Sequence, residues 1–138
     1  MERHGGPEAL VVREIATPTP TAGEVRVRVH AASIHIGDCH VIRGLPKSMR
    51  PVFGLRRPRS AIPGTDIAGT VEVVGSAVSD WQPGDEVFGD CTGAFAEYAV
   101  AKSDRLVARP QNLDLAQASA VGDSAQTALQ ALRDALDV

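Results

Sequence analysis

The sequence predicts a mainly β domain, a partly open β-barrel with short helices gathered at its C-terminal end. Three features predict it. Short runs of β-branched and apolar residues are each bounded by glycine or proline. Residues 24–32 (EVRVRVHAA) alternate apolar and polar, as a half-buried strand does. After Pro110 the apolar spacing switches from two residues to that of a helix, so many short strands are followed by terminal helices.

Taken in order, residues 10–15 (LVVREI) read as a first strand, closed by the breakers Pro18 and Pro20. In 24–32, Val25, Val27, Val29 and Ala31 share one face while Arg26, Arg28 and His30 share the other. That is an antiparallel strand with its charged side in water. Residues 34–43 form a short helix, with Gly37 and Asp38 near its start and Gly44 at its end. A proline-bearing loop over 47–62 follows, carrying Lys47, Arg50, Arg56, Arg57 and Arg59.

Pro63-Gly64-Thr65-Asp66 then opens a β-branched run over 67–74, read as a strand buried on both faces. Gly75 breaks it, and Pro83-Gly84-Asp85-Glu86-Val87 starts the next extended segment. Residues 93–100 (GAFAEYAV) and 106–109 complete the strands. Asn112 or Asp114 caps a short helix through Ser119. Asp123 and Gln126 form a capping box for the last helix, whose Ala125, Ala128, Leu129, Leu132 and Leu136 fall on one face.

A length of 138 residues bounds the chain to one domain, 1–138, able to bury a core. A net charge of −3 supplies no general attraction for nucleic acid or acidic membranes. The basic loop lacks aromatic stacking partners beyond Phe53 and is a solvated loop. No apolar run reaches the length of a membrane span, and the N-terminus has no signal-peptide core, which points to the cytoplasm. Cys39 and Cys91 form no CxxC pair and are expected as free thiols.

The ordered set Gly64-Thr65-Asp66, the glycine-bearing strand and Pro83-Gly84-Asp85-Glu86-Val87 resembles the GroES-like catalytic domain of the medium-chain dehydrogenase/reductases. The likeness runs from about Gly5 to Leu132. It implies a GroES-like barrel. No G-x-G-x-x-G turn occurs, so the family's Rossmann cofactor domain is expected to be absent from this chain.

In zinc-dependent relatives a cysteine, a histidine and a later cysteine hold the metal. Here His35 stands at the first position and Thr65 at the second, with Asp66 in place of glutamate. Threonine is a poor zinc ligand, so no zinc is expected. A rival ligand set, His35, Asp38, Cys39 and His40, is close in sequence, although His40 points away from the others on one turn.

Ser33-Ile34-His35-Ile36-Gly37-Asp38 is similar to the S-V-N-P-x-D motif of the zinc-independent quinone oxidoreductase (zeta-crystallin-like) branch, with His35 for asparagine and Ile36 for proline. That resemblance implies hydride transfer from NADPH to a quinone or an α,β-unsaturated carbonyl. It places His35 beside the nicotinamide and the substrate carbonyl, as a hydrogen-bond donor or as a structural tie. Asp38 is implied as an acid or, more simply, a helix organiser. Thr65 and Asp66 are assigned to the cleft, and Thr65 with Thr127 to the nicotinamide end of the cofactor. Two other readings stay open: a stand-alone binding or assembly module, and a zinc-dependent alcohol dehydrogenase relative. A homo-oligomer is compatible with all of them.

Overall fold

The computed structural model describes residues 1–136. Its elements are β1 (Glu24–Ala32), α1 (Ile36–Arg43), α2 (Arg50–Phe53), β2 (Asp66–Val74), β3 (Glu86–Asp90), β4 (Tyr98–Lys102), β5 (Leu106–Ala108), α3 (Leu115–Ser119) and α4 (Gly122–Leu136). All strand pairs are antiparallel, and the five strands lie in the order β4-β1-β2-β3-β5.

That order dictates curvature. β4 and β5 occupy opposite edges, yet only Ser103–Arg105 separates them. In a flat sheet the edges would lie about 19 Å apart, four spacings of about 4.8 Å. The four residue steps from Lys102 to Leu106 reach at most about 14 Å. The sheet therefore curls until its edges approach, and no β4–β5 pairing joins them among the described residues. This is the partly open barrel expected.

The barrel interior is the core. Val25, Val27, Ile67 and Val87 are fully buried, with Val71, Ala99, Ala101 and Leu106 packed among them. Each large aliphatic side chain so placed contributes about 1.5–3 kcal/mol. Two irregularities interrupt the β1–β2 register, one leaving Glu72 unpaired and one leaving His30 unpaired. The second bends β1, so Val29 and Ala31 are only half-buried although they continue the alternation of Val25 and Val27.

Helix ends follow their local chemistry. Gly44 ends α1 in the left-handed conformation (φ 61°). Asp114, rather than Asn112, caps α3: its carboxylate accepts from the Gln117 N–H (2.7 Å), while the Gln117 amide accepts from the Asp114 N–H (3.0 Å). α3 lies against β1 and β2 with Ala118 and Ser119 buried. Trp81 packs on the core and donates its indole N–H to the Ser103 carbonyl.

Three expectations are corrected. Residues 10–15 form no strand: Leu10, Val11, Val12 and Ile15 are exposed, because no sheet edge among the described residues pairs their backbone. The strand placed at 93–100 begins at Tyr98 and runs to Lys102. Its first residues instead turn under Pro63 and Gly64, whose carbonyls accept the N–H groups of Phe95, Gly93 and Ala94. Asp123 does not cap α4, since the helix already starts at Gly122 and the Val121 carbonyl accepts from the Ala125 N–H. The apolar face of α4 is not core: Leu129 and Leu132 are 64% and 57% exposed. The side chain of Leu136 lies outside the described residues. Among the described residues no helix is long and apolar enough to cross a membrane.

Candidate active site

A cleft of about 820 Å³ opens where the start of β2 and the end of β3 meet the first turns of α4. His35, Thr65 and Asp66 line one wall; Gly122, Gln126 and Leu129 line the other. The sequence folds this way because Gly64 takes a φ of +91° just before β2, with Phe95 and Ala94 pressed against its bare Cα. That turn delivers Thr65 and Asp66 to the mouth of the barrel.

His35 is the N-cap of α1. Its Nδ1 accepts the Gly37 N–H at 3.0 Å, and its Nε2 lies 2.8 Å from Thr65 Oγ1. The His35 N–H in turn donates to Asp38 Oδ2 at 3.1 Å. His35 and Asp38 thus cap the helix reciprocally, satisfying donors that its first turn leaves free. Asp38 is buried in this role and does not line the cleft. Thr127 is exposed on α4 and lies outside the cleft lining.

Asp66 is 2% exposed. Its Oδ2 accepts from the Ser33 hydroxyl at 3.1 Å, whereas Oδ1 has no hydrogen-bond partner in normal geometry and faces the start of α4 at Gly122. Burial pushes the carboxyl above its ordinary value; the Ser33 hydroxyl, His35 and the Asp123 N–H pull it partly back, while the Asp123 carboxylate adds to the rise. The folded state therefore holds this proton to higher pH than the unfolded chain. The stability it contributes is present below the ordinary value of 3.8 and is lost as pH rises through the raised one. Asp66→Asn keeps the side chain neutral throughout. Thermal melts across pH are expected to show a flatter profile for the variant and a higher Tm than the parent at neutral pH; parallel profiles would contradict the assignment.

Sequence reasoning missed several cleft residues. Asp123 Oδ2 approaches His35 Nδ1 at 4.0 Å, and Arg105 reaches Asp90 at 3.6 Å on the rim. Nothing local marks these positions, because the packing of α4 against β3 brings in Asp123 and the pairing of β5 with β3 sets Arg105 beside Asp90. The rim is acidic, with Asp90, Asp104 and Asp123 against Arg105. Such a rim repels phosphates and suits an uncharged or cationic ring.

The zinc corner of the resembled enzymes lacks three suitable donors here. Thr65 is engaged with His35, and Cys91 is buried with its thiol pushed up to about 12, by burial first and then by Asp90 and Asp66. Among the described residues no group of three His, Cys, Asp or Glu side chains is placed to hold a metal, the set His35, Asp38, Cys39 and His40 included. The donor set does not fit zinc. Both cysteines are free thiols.

Residues 21–111 match the alcohol dehydrogenase GroES-like domain. A chloroplastic quinone-oxidoreductase homolog of Spinacia oleracea is 39% identical over 132 residues, covering 93% of this chain and 39% of the relative. The quinone oxidoreductase of Sus scrofa is 36% identical over 133 residues, covering 94% of this chain and 38% of the relative. The crystal structure of Escherichia coli quinone oxidoreductase complexed with NADPH superposes with a TM-score of 0.82 at 29% identity, over 96% of this chain and 39% of that one. The chain thus spans 39% and 38% of the length of these two curated relatives.

Proposed function

The chain belongs to the alcohol dehydrogenase GroES-like domain family of the medium-chain dehydrogenase/reductases, and from that membership we propose that it is the catalytic-domain portion of an NADPH-dependent, zinc-independent reductase of quinones or α,β-unsaturated carbonyls. The carrying observation is the His35–Thr65 pair at the head of a cleft whose apolar wall includes Leu129 and Val121. The pair supports a polar anchor for an acceptor oxygen, and the apolar wall a flat ring.

NADPH, when bound, supplies the hydride. His35 and Thr65 would meet its nicotinamide end and the acceptor, while the acidic rim keeps the phosphates outside this half of the site. The sequence resemblance implies Thr127 at the same nicotinamide end. As hydride reaches the acceptor carbon, the carbonyl oxygen gathers negative charge, and donors already aimed at it stabilise that charge without reorganising. His35 acts on the oxygen through the Thr65 hydroxyl it is bonded to; Asp38 acts by holding the backbone of His35 in place. The apolar wall excludes water and orients the ring. Asp66, next in the chain, is held by the Ser33 hydroxyl that donates to its Oδ2.

The test is titration of the isotope-labelled 138-residue chain with NADPH and with duroquinone, whose four methyl groups protect it from Cys39. Amide shifts are expected at His35, Thr65 and Gly122, with weak affinity. His35→Ala is expected to weaken duroquinone binding roughly five- to tenfold, the worth of one hydrogen bond. Quinone reduction by this chain with NADPH is expected to be negligible. Shifts confined to other faces, or robust turnover, would overturn the proposal.

A further inference from the structure

We infer that the hydrogen-bond donor the cleft offers to a ligand is the Thr65 hydroxyl, and that His35 is the positioning residue that loads it. The inference rests on the oxidoreductase reading only for the identity of the ligand; the bond direction follows from this chain alone.

A neutral imidazole carries one ring hydrogen. The Gly37 N–H points at Nδ1 from 3.0 Å, so Nδ1 is the acceptor and the hydrogen resides on Nε2. Nε2–H is then spent on Thr65 Oγ1 at 2.8 Å. Asp38 Oδ2 lies farther from Nε2, at 3.6 Å, and already accepts the His35 N–H. Asp123 Oδ2, 4.0 Å from Nδ1, and the buried Asp66 carboxyl are the remaining ionisable groups near the ring. Both ring nitrogens are therefore committed within the protein.

The threonine hydroxyl has one hydrogen and two lone pairs. Accepting from His35 occupies one lone pair and leaves its hydrogen unspent. Thr65 Oγ1 makes no other hydrogen bond among the described residues, and the side chain lines the cleft. Its hydrogen is thus available to an acceptor in the cleft. A chain of donors running Nε2–H to Oγ1–H to ligand oxygen strengthens each link in turn. The cleft therefore selects ligands that present a carbonyl or quinone oxygen over those that present only donors. No proton need leave the protein in this arrangement: the hydroxyl stabilises the oxygen as charge develops on it.

Two measurements test this on the 138-residue chain. The first is the ¹⁵N spectrum of the His35 ring. A protonated Nε2 beside a bare Nδ1 is expected; a hydrogen on Nδ1 with bare Nε2 overturns the inference. The second uses duroquinone labelled with ¹³C at its carbonyls. Binding to the parent and to Thr65→Ser is expected to move the carbonyl signal downfield. Thr65→Val is expected to abolish that shift and to weaken binding roughly five- to tenfold, while the ring tautomer stays unchanged; Thr65→Ala replaces it should the valine variant not fold.

Gly37→Ala supplies an independent probe. Its added Cβ would lie 2.6 Å from Cε1 and 2.9 Å from Nδ1 of His35, so the ring must move although the imidazole is retained. A reduced downfield shift is expected. Duroquinone bound in Thr65→Val with its full carbonyl shift overturns the inference and leaves the oxidoreductase reading standing. Failure of duroquinone to bind the parent overturns that reading, and the ring tautomer then still decides the direction of the His35–Thr65 bond.

Discussion

Gly69→Ala is expected to remove about 1–3 kcal/mol of stability. Gly69 lies mid-way along β2 at the point where the β1 register slips, opposite Val29. A Cβ built there would sit 2.1 Å from the Arg28 carbonyl oxygen and 2.9 Å from Val27 Cγ1. The first neighbour is backbone of the adjacent strand and cannot rotate aside. Relief requires β1 and β2 to separate, which breaks the ladder that also aligns β4. Total stability for a domain of this size is about 5–15 kcal/mol, so overpacking at the strand–strand seam consumes a large share. Gly23→Ala is the matched control, because nothing lies within 4 Å of its Cβ position. Urea unfolding of the two variants should separate them widely. A loss below about 1 kcal/mol for Gly69→Ala would show that the strands yield more easily than a packed seam should.

Ile67→Ala is expected to cost about 2–5 kcal/mol, with Ile67→Val about 0.5–1.5. Ile67 is fully buried and is the largest side chain of the core so placed. It pairs with Ala32 on one side and Gly89 on the other, so its truncation opens a void where three strands meet. Asp66 precedes it directly and Thr65 precedes Asp66, so loss of packing here also frees the wall of the cleft. Equilibrium denaturation gives the first effect. Faster amide exchange at Cys91, whose N–H donates to the Thr65 carbonyl, reports the second. Unchanged exchange in a clearly destabilised Ile67→Ala would separate the core from the site.

How much was legible depends on whether a residue's partner is near in sequence. β1 could be read with its bounds because alternation of Val25, Val27 and their charged neighbours is a property of the strand itself. Gly44 and Asp114 were legible for the same reason: a helix end is satisfied by atoms within a turn of it. Residues 10–15 have equal β propensity and form no strand, since a strand exists only through a partner. Residues 93–95 have their N–H groups claimed by Pro63 and Gly64, some thirty residues earlier, and no local pattern signals that.

The site divides along the same line. His35, Thr65 and Asp66 were found through motif resemblance, and the structure brings them together at one end of the barrel. Asp123 and Gln126 join them because α4 packs against β3, and Arg105 because β5 pairs with β3. Thr127, one residue beyond Gln126, is exposed on α4 and is not among the residues lining the cleft.

By itself the sequence determined the class of the fold, most element positions and the residue types available to the cleft, because these follow from periodicity, turn chemistry and motif. Only the tertiary structure decided that the sheet curls to a near-closed barrel, that Asp66 is buried with one oxygen unpaired, and that the imidazole of His35 is spent on Thr65. Those outcomes rest on backbone N–H groups and close approaches between strands and helices remote in the chain, where the energy of a contact depends on which partner arrives.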